Sequence, residues 1–483
     1  MIRAYAVPDV RAAEAVAMAA LPEGALMARA AAGLAQVAAD RLRAREGSRV
    51  VALVGGGDNG GDTLYAVAQL AREGALATAV LADADAVHAA GLAAAQEAGV
   101  ALAGENWAQA LEAADLVLDG ITGIGGRAGL REPARSWVEA IGDAAYVLAV
   151  DLPSGTDPEG RLGSAECVFA DETVTFGAPK PGALLPATEP ATGRLTVVDI
   201  GLDLRDALPA VERLTPEDAT RLWPVPDASS DKYSRGVVGI VTGSTAYPGA
   251  GVLSVLGALG AGPGMVRYLG PPSVAVFVHR QAPEAVTANG RVEAYVLGSG
   301  VDPEDPDDAD QLRWSGQALA SELPCVVDAG ALAIVAPRSA PTVLTPHAGE
   351  LARLLTRLGS GVEVARDDVL ADPLGHARTA ADLLGAVVLL KGSTTLVVPP
   401  SALGVPPRSQ ADAPAWLATA GAGDVLGGVV GTLLAAGLDP VDAASLAALV
   451  HGRAASRASG GGPVRAMDVA LAIAPTIAEL LRA

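Results

Sequence analysis

A short apolar run followed at once by a glycine-rich loop and then a helical pattern recurs along this chain, and no other feature limits its fold more. Arg49–Val54 is continuously apolar after its first residue, as a strand buried on both faces of a parallel sheet must be. Gly55-Gly56-Gly57-Asp58-Asn59-Gly60-Gly61-Asp62 follows, and a helix pattern then runs from Thr63 to Arg72. Further strands are expected at Ala75–Leu81, Asp115–Asp119, Ala145–Asp151, Glu172–Phe176 and Arg194–Ile200, and again from Val237–Val241. The fold class is therefore α/β. In open parallel sheets the carboxyl ends of the strands gather at the ligand crevice, so Asn59, Asp119, Asp151 and Ser154 are expected to converge.

A chain of 483 residues exceeds one ordinary core. Residues 201–232 are polar and punctuated by proline, which places a domain boundary near 210 and predicts domains 1–210 and 211–483. The net charge of −21 argues against a nucleic-acid partner or an anionic membrane surface. An anionic ligand would need backbone amides and a few well-placed cations. Apolar runs such as Gly385–Leu390 are far short of a membrane span, and the N-terminus lacks the pattern of a signal peptide. Cys167 and Cys325 are too few for a disulfide framework or a metal cluster. The expectation is a cytoplasmic protein without membrane partners, assembled as a homo-oligomer.

Only three residues are lysine, Lys180, Lys232 and Lys391, in a chain with 34 basic residues. Where arginine has displaced nearly every lysine, the survivors mark places that need a compact ammonium rather than a planar fork. All three lie in segments rich in glycine or proline.

The stretch Ala415–Gly428 is the other anchor of the reading. Gly421 and Gly423 let the backbone turn its amides toward one point, and an apolar helix pattern continues through Val429, Val430, Leu433 and Leu434. Amides at a helix start favour phosphate. Asp424 is ill suited to hold phosphate there, because like charges repel. It suits a base that takes a proton from a hydroxyl beside the phosphate, although a plain helix cap competes with that reading. In the same half, strand ends recur at Leu297-Gly298-Ser299-Gly300, Val327-Asp328 and Thr345-Pro346-His347-Ala348-Gly349-Glu350. His347 sits just ahead of a helix, and Lys391-Gly392-Ser393-Thr394-Thr395 places a cation at a strand end fit to meet a phosphate.

The loop at 58–62, the Asp119 loop, Val150-Asp151-Leu152-Pro153-Ser154-Gly155 and Thr175-Phe176-Gly177-Ala178-Pro179-Lys180 together resemble the NAD(P)H-hydrate epimerase family. That family's loop usually reads Asn-Asn-Gly-Gly-Asp-Gly, and Asp58 and Thr63 depart from its ends. The second half, ending in Gly421-Ala422-Gly423-Asp424, resembles the NAD(P)H-hydrate dehydratase family, a branch of the ribokinase-like fold. Asp412-Ala413-Pro414 and Trp416 stand where that family usually carries Gly-Asn-Pro before the final motif. The combined order resembles that of the bifunctional NAD(P)H-hydrate repair enzymes.

The resemblance implies a Rossmann-like three-layer domain followed by a ribokinase-like α/β domain, which repair NADH and NADPH hydrates. It implies a potassium ion held by Asn59, Asp119 and Ser154. Asp58, Asn59, Gly60, Gly61 and Asp62, with Gly123, Ile124, Gly125, Gly126, Arg127, Ala128 and Gly129, would line the hydrated nucleotide. Asp151 would be the acid/base, with Lys180 as its charge partner. In the second domain Ala250, Gly300 and His347 would meet the hydrated cofactor. Lys391 to Thr395 (Gly392, Ser393 and Thr394 between them) and Gly421, Ala422 and Gly423 would meet the phosphoryl donor. Asp424 would be the base. The donor implied is ADP with Mg2+, and ATP is the alternative. The rival reading is a ribokinase-like vitamin kinase. Such kinases often begin the final motif with Asp, where this chain has Ala418.

Overall fold

In the computed structural model, residues 1–359 and 363–482 are described. They form two compact units, Ile2–Val211 and Glu212–Ala483, with Met1 joining the latter. Each has its own sheet.

The first unit holds a seven-stranded sheet. Its strands are β1 (Arg49–Val54), β2 (Leu76–Leu81), β3 (Ala101–Leu102), β4 (Leu116–Gly120), β5 (Tyr146–Val150), β6 (Glu172–Phe176) and β7 (Arg194–Val198). They lie in the order β3-β2-β1-β4-β5-β6-β7, and every pair is parallel. The alternation along β1 shows why its run had to be apolar throughout. Val50, Ala52 and Val54 pack with Leu34, Leu64 and Val67 on one face. Val51 and Leu53 pack with Leu111, Trp137 and Val147 on the other. Three layers result. Strand order reverses between β1 and β4, the place where such sheets open a crevice.

The helix after β1 spans Asp58–Arg72, five residues longer at its start than the apolar periodicity predicts. Gly57, at φ +81°, turns the chain so that Asp58, Asn59, Gly60 and Gly61 become the first helical turn. Gly55 has no room for a side chain, since a Cβ would lie 1.9 Å from the Ile121 carbonyl oxygen. The loops after β1 and β4 are thus pressed together.

In the second unit the central strands are β8 (Val237–Val241), β9 (Met265–Tyr268), β10 (Ala294–Leu297), β11 (Cys325–Val327), β12 (Thr342–Leu344), β13 (Val387–Leu390), β14 (Thr395–Val398) and β15 (Arg408–Gln410). Their order is β9-β8-β10-β11-β12-β13-β14-β15. Pairing is parallel up to β13 and antiparallel across β13-β14-β15. Helix Ala422–Ala435 is buried along nearly its whole length. Its glycines explain how it fits. A Cβ at Gly428 would lie 2.2 Å from the Ser254 carbonyl, and one at Gly431 would lie 2.3 Å from Val296. From the facing helix, Pro248–Ala261, Gly257 meets Val425 in the same way. Close approach keeps the dispersion contacts that a larger side chain would forfeit. Within 201–232 a short helix, Pro216–Leu222, forms behind a Thr215–Asp218 capping box. No single helix among the described residues is long and apolar enough to cross a membrane.

Candidate active sites

The crevice of the first unit is a cavity of about 960 Å³. Asp58, Asn59, Asp62, Gly123, Ile124 and Asp151 line it, with an aromatic and aliphatic wall that includes Tyr65 and Phe176. Gly60 and Gly61 face inward to the protein, against the Gly55 carbonyl and against Met27 and His88. Beyond Ile124 the loop leaves this wall. Gly125 and Arg127 are exposed, Gly126 and Ala128 are half-buried, and Gly129 donates its amide to Gly155 at 2.8 Å.

Asp151 sits at φ +69°, a left-handed backbone rare for a non-glycine residue. Strain of that kind persists where the surroundings over-determine it, and it clusters at functional sites. The surroundings here are specific. The Asp151 amide donates to the Val174 carbonyl at 2.7 Å, and Thr175 Oγ1 donates to Asp151 Oδ1 at 3.0 Å. Lys180 Nζ donates to the same Oδ1 and also reaches Thr175 Oγ1 at 3.2 Å. Lys180 is only 1% exposed. It therefore stands behind Asp151 as its counter-charge rather than on the cavity wall.

Asp62 is the second carboxyl in the cavity. Burial, then the nearby charges of Asp151, Asp58 and Glu14, push its pKa up to about 8 against the pull of Lys180. One cavity therefore holds a carboxyl with an ammonium against it and another that keeps its proton at neutral pH.

Asp119 and Ser154 meet at the ends of β4 and β5. Ser154 donates its amide to Asp119 Oδ2 at 2.7 Å and its hydroxyl to Oδ1 at 2.6 Å. Burial pushes the Asp119 pKa up to about 6, against the hydrogen bonds from Ser154 and Ile121. Among the described residues Asp119 has no basic partner. Ser154 Oγ also accepts from the Thr122 amide, and Gly123 packs on the Asn59 side-chain oxygen. The Asn59 amide nitrogen is buried without a partner. Asp119, a buried carboxylate lacking a cation, fits a monovalent cation, and Asn59 could join it only through its side-chain oxygen, because the unmet nitrogen is a donor.

The second unit assembles its site from strand ends. Lys391 follows β13 and donates from Nζ to Asp328 Oδ1 at 2.9 Å, with Glu350 Oε2 at 3.7 Å. Burial alone would lower its pKa, but Asp328, Glu350 and Asp424 outweigh burial and raise it. Asp424 stands in the first turn of its helix, after Gly421 at φ +88°. Its pKa is pushed up to about 7 by burial and by Asp328, with Lys391 and a hydrogen bond from Ser299 pulling it back. Gly423 leaves the space for Lys391, since a Cβ there would lie 3.2 Å from Nζ.

The remaining expected residues fall around this group. Gly300, at φ +67°, would place a Cβ 2.5 Å from the Ala250 side chain, so those two meet directly. His347 caps helix Ala348–Leu358. It accepts from the Glu350 amide at 3.2 Å, while Glu350 accepts from the His347 amide at 2.8 Å. Lys391 to Thr395 form a hairpin turn between antiparallel strands, with Gly392 and Ser393 exposed and Thr394 buried. Ala422 is buried at the helix start. Asp328, Glu350 and Ser299 are members of the site that residue patterns did not assign. Their signal was present, because each stands at a strand end or capping position.

Two α/β units, one Rossmann-like and one with a mixed-edge sheet, each with a glycine-framed carboxyl opposed by a lysine, define a two-domain enzyme acting on nucleotide-like substrates. A family model described as NAD(P)H-hydrate dehydratase matches residues 238–474, and one described as YjeF-related protein N-terminus matches 23–182. The bifunctional NAD(P)H-hydrate repair enzyme Nnr of Mycobacterium leprae is 44% identical, over 94% of this chain and 93% of that protein. The Escherichia coli protein of the same name is 32% identical, over 83% and 79%. The solved ADP/ATP-dependent NAD(P)H-hydrate dehydratase of Bacillus subtilis shares the fold of the second unit. Its TM-score is 0.50 at 24% identity, covering 56% of this chain and 99% of that one. The chain belongs to the bifunctional NAD(P)H-hydrate repair enzymes, which combine epimerase and dehydratase activities, and the vitamin-kinase alternative is not favoured.

Proposed function

We propose that the first unit inverts the hydrated ring carbon with Asp151 as acid/base, and that the second removes the hydroxyl of the S hydrate with Asp424 as base and ADP as phosphoryl donor. The carrying observation is the repeated device of a carboxyl opposed by a rare lysine, Asp151 by Lys180 and the Asp328–Asp424 pair by Lys391.

The chemistry follows from the hydrate. Its reacting carbon bears both a hydroxyl and the ring nitrogen, and hydroxide is a poor leaving group. Phosphorylating the hydroxyl makes its departure feasible. Asp424 takes the hydroxyl proton as the oxygen attacks the phosphoryl group. Amides at the start of helix Ala422–Ala435, from Gly421 to Gly423, meet the charge that develops. Lys391 and the turn through Gly392, Ser393, Thr394 and Thr395 face the donor, whereas Ala250, Gly300 and His347 face the hydrated ring. The related Bacillus subtilis protein is described as ADP/ATP-dependent and was co-crystallised with ATP and Mg2+, which supports a nucleotide donor here.

Among the described residues no group of three or more His, Cys, Asp or Glu forms a metal cluster. Mg2+ is commonly held by one or two carboxylates plus substrate phosphates, so it would enter with the nucleotide beside Asp328 and Asp424. In the first unit Asn59, Asp119 and Ser154 would hold K+, whose charge would offset that of Asp119. The test mixes both hydrate epimers with protein, Mg2+ and ADP or ATP, and follows reduced-cofactor absorbance. Full recovery is expected. Recovery of only the S share refutes the epimerase assignment, and no recovery refutes the dehydratase assignment.

A further inference from the structure

We propose that Asp62 is a second catalytic residue of epimerisation, the proton donor that works opposite Asp151. This deepens the epimerase reading above and rests on it. Asp62 stands just past the first turn of helix Asp58–Arg72, on the wall of the same cavity as Asp151. It is 8% exposed, and its Oδ1 is buried with no hydrogen-bond partner among the described residues. A buried carboxyl oxygen left without a partner is costly, so such an atom in a cavity is one that a substrate is expected to engage.

The charged and titratable groups facing Asp62 come from several elements. Glu14 lies on helix Val7–Ala20, Asp58 on its own helix, Asp151 after β5 and Lys180 after β6. Three carboxyls and one ammonium leave a negative surplus, and the ammonium is committed to Asp151. Burial, and then this surplus, keeps the proton on Asp62, in accord with its raised pKa of about 8. A carboxyl set against an ammonium and a second one buried in the same cavity with an unpartnered oxygen suit a general base and a general acid.

The reacting carbon of the hydrate is a hemiaminal, so it can invert by ring opening without expelling hydroxide. Asp151 takes the hydroxyl proton, the carbon–oxygen bond becomes a carbonyl, and the bond from that carbon to the ring nitrogen breaks. The electron pair goes to the nitrogen, which takes the proton from Asp62. The freed aldehyde rotates, the nitrogen attacks its other face and returns its proton to Asp62. Asp151 then gives its proton back to the oxygen. Both carboxyls end as they began.

The test compares the full-length protein with Asp62→Asn and Asp62→Ala, using R hydrate at varied concentration and ADP with Mg2+ so that the second unit consumes the S product. Wild-type conversion of R hydrate establishes the epimerase reading independently. Asp62→Asn is expected to lower kcat for epimerisation about 100-fold or more, with KM changed little and dehydration of purified S hydrate unchanged. Formate should restore part of the rate in Asp62→Ala, which a misfolded unit would not allow. Wild-type kcat/KM should fall as pH rises through about 8. Wild-type kcat in Asp62→Asn, or a loss confined to KM, overturns the proposal.

Discussion

Replacing Asp424 by Asn should abolish dehydration and at the same time stabilise the second unit. The carboxyl is held at a pKa of about 7, against an ordinary value of 3.8, chiefly by burial and by Asp328. A group whose pKa the fold raises gives its full stability below the unfolded value and loses it as pH rises toward the folded one. The penalty therefore grows from about pH 4, reaches its limit near pH 7 and stays flat above. At about 1.36 kcal/mol per pH unit, the limit is about 4 kcal/mol. An asparagine still buries a polar amide, so a net gain of about 2 kcal/mol is expected at pH 8. In a unit of this size that raises the melting temperature by about 4–8 °C. The assay is thermal unfolding of wild-type and Asp424→Asn protein at pH 8 and pH 4.5. The transition of the second unit is the one that ADP with Mg2+ moves upward. The gain should be large at pH 8 and small at pH 4.5, while ADP-dependent dehydration of S hydrate falls about 1000-fold or more. Equal stability at both pH values would refute the electrostatic account, and substantial residual dehydration would refute the base.

Asp151→Asn should lose epimerisation while still dehydrating purified S hydrate at the wild-type rate, read as absorbance recovery from R and S hydrates separately; unchanged epimerisation removes Asp151 from the mechanism. Glu350→Gln keeps the helix cap of His347 but removes a negative neighbour of Asp424, so the acid limb of dehydratase kcat/KM should move to lower pH. A limb that moves up or stays put contradicts the charge balance. Gly300→Ala forces a side chain into φ +67° and to within 2.5 Å of Ala250. The backbone strain costs about 1–2 kcal/mol, so a lower melting temperature and a raised KM for S hydrate are expected, and a wild-type KM would show that this wall does not meet the substrate.

The strands were readable because their chemistry is local. Arg49–Val54, Glu172–Phe176 and Val237–Val241 form over the expected spans, and the others differ by a residue or two. The start of helix Asp58–Arg72 was not readable, since Asp, Asn and Gly are loop formers until Gly57 turns them into a first helical turn. The helix Pro216–Leu222 lies in a stretch without strong periodicity, where only Thr215 and Asp218 carry its capping signal. The residue pattern points to His347 as a ligand contact, yet its ring is also committed to a cap. Only the approach of a strand end and a helix start brings Asp328 and Glu350 to Lys391, and no spacing in the sequence records that.

What the sequence determined by itself was the architecture and the stock of reactive groups: apolar runs that demand burial, glycines where backbones approach, three lysines and the acids beside them. What only the tertiary structure decided was how those acids differ. Desolvation and charge depend on what stands within a few ångströms, and those neighbours come from distant parts of the chain. Glu14 and Lys180 bear on Asp62, and Asp328 and Lys391 bear on Asp424. Two aspartates that look alike in the first unit are thereby separated, one set against an ammonium and the other keeping its proton.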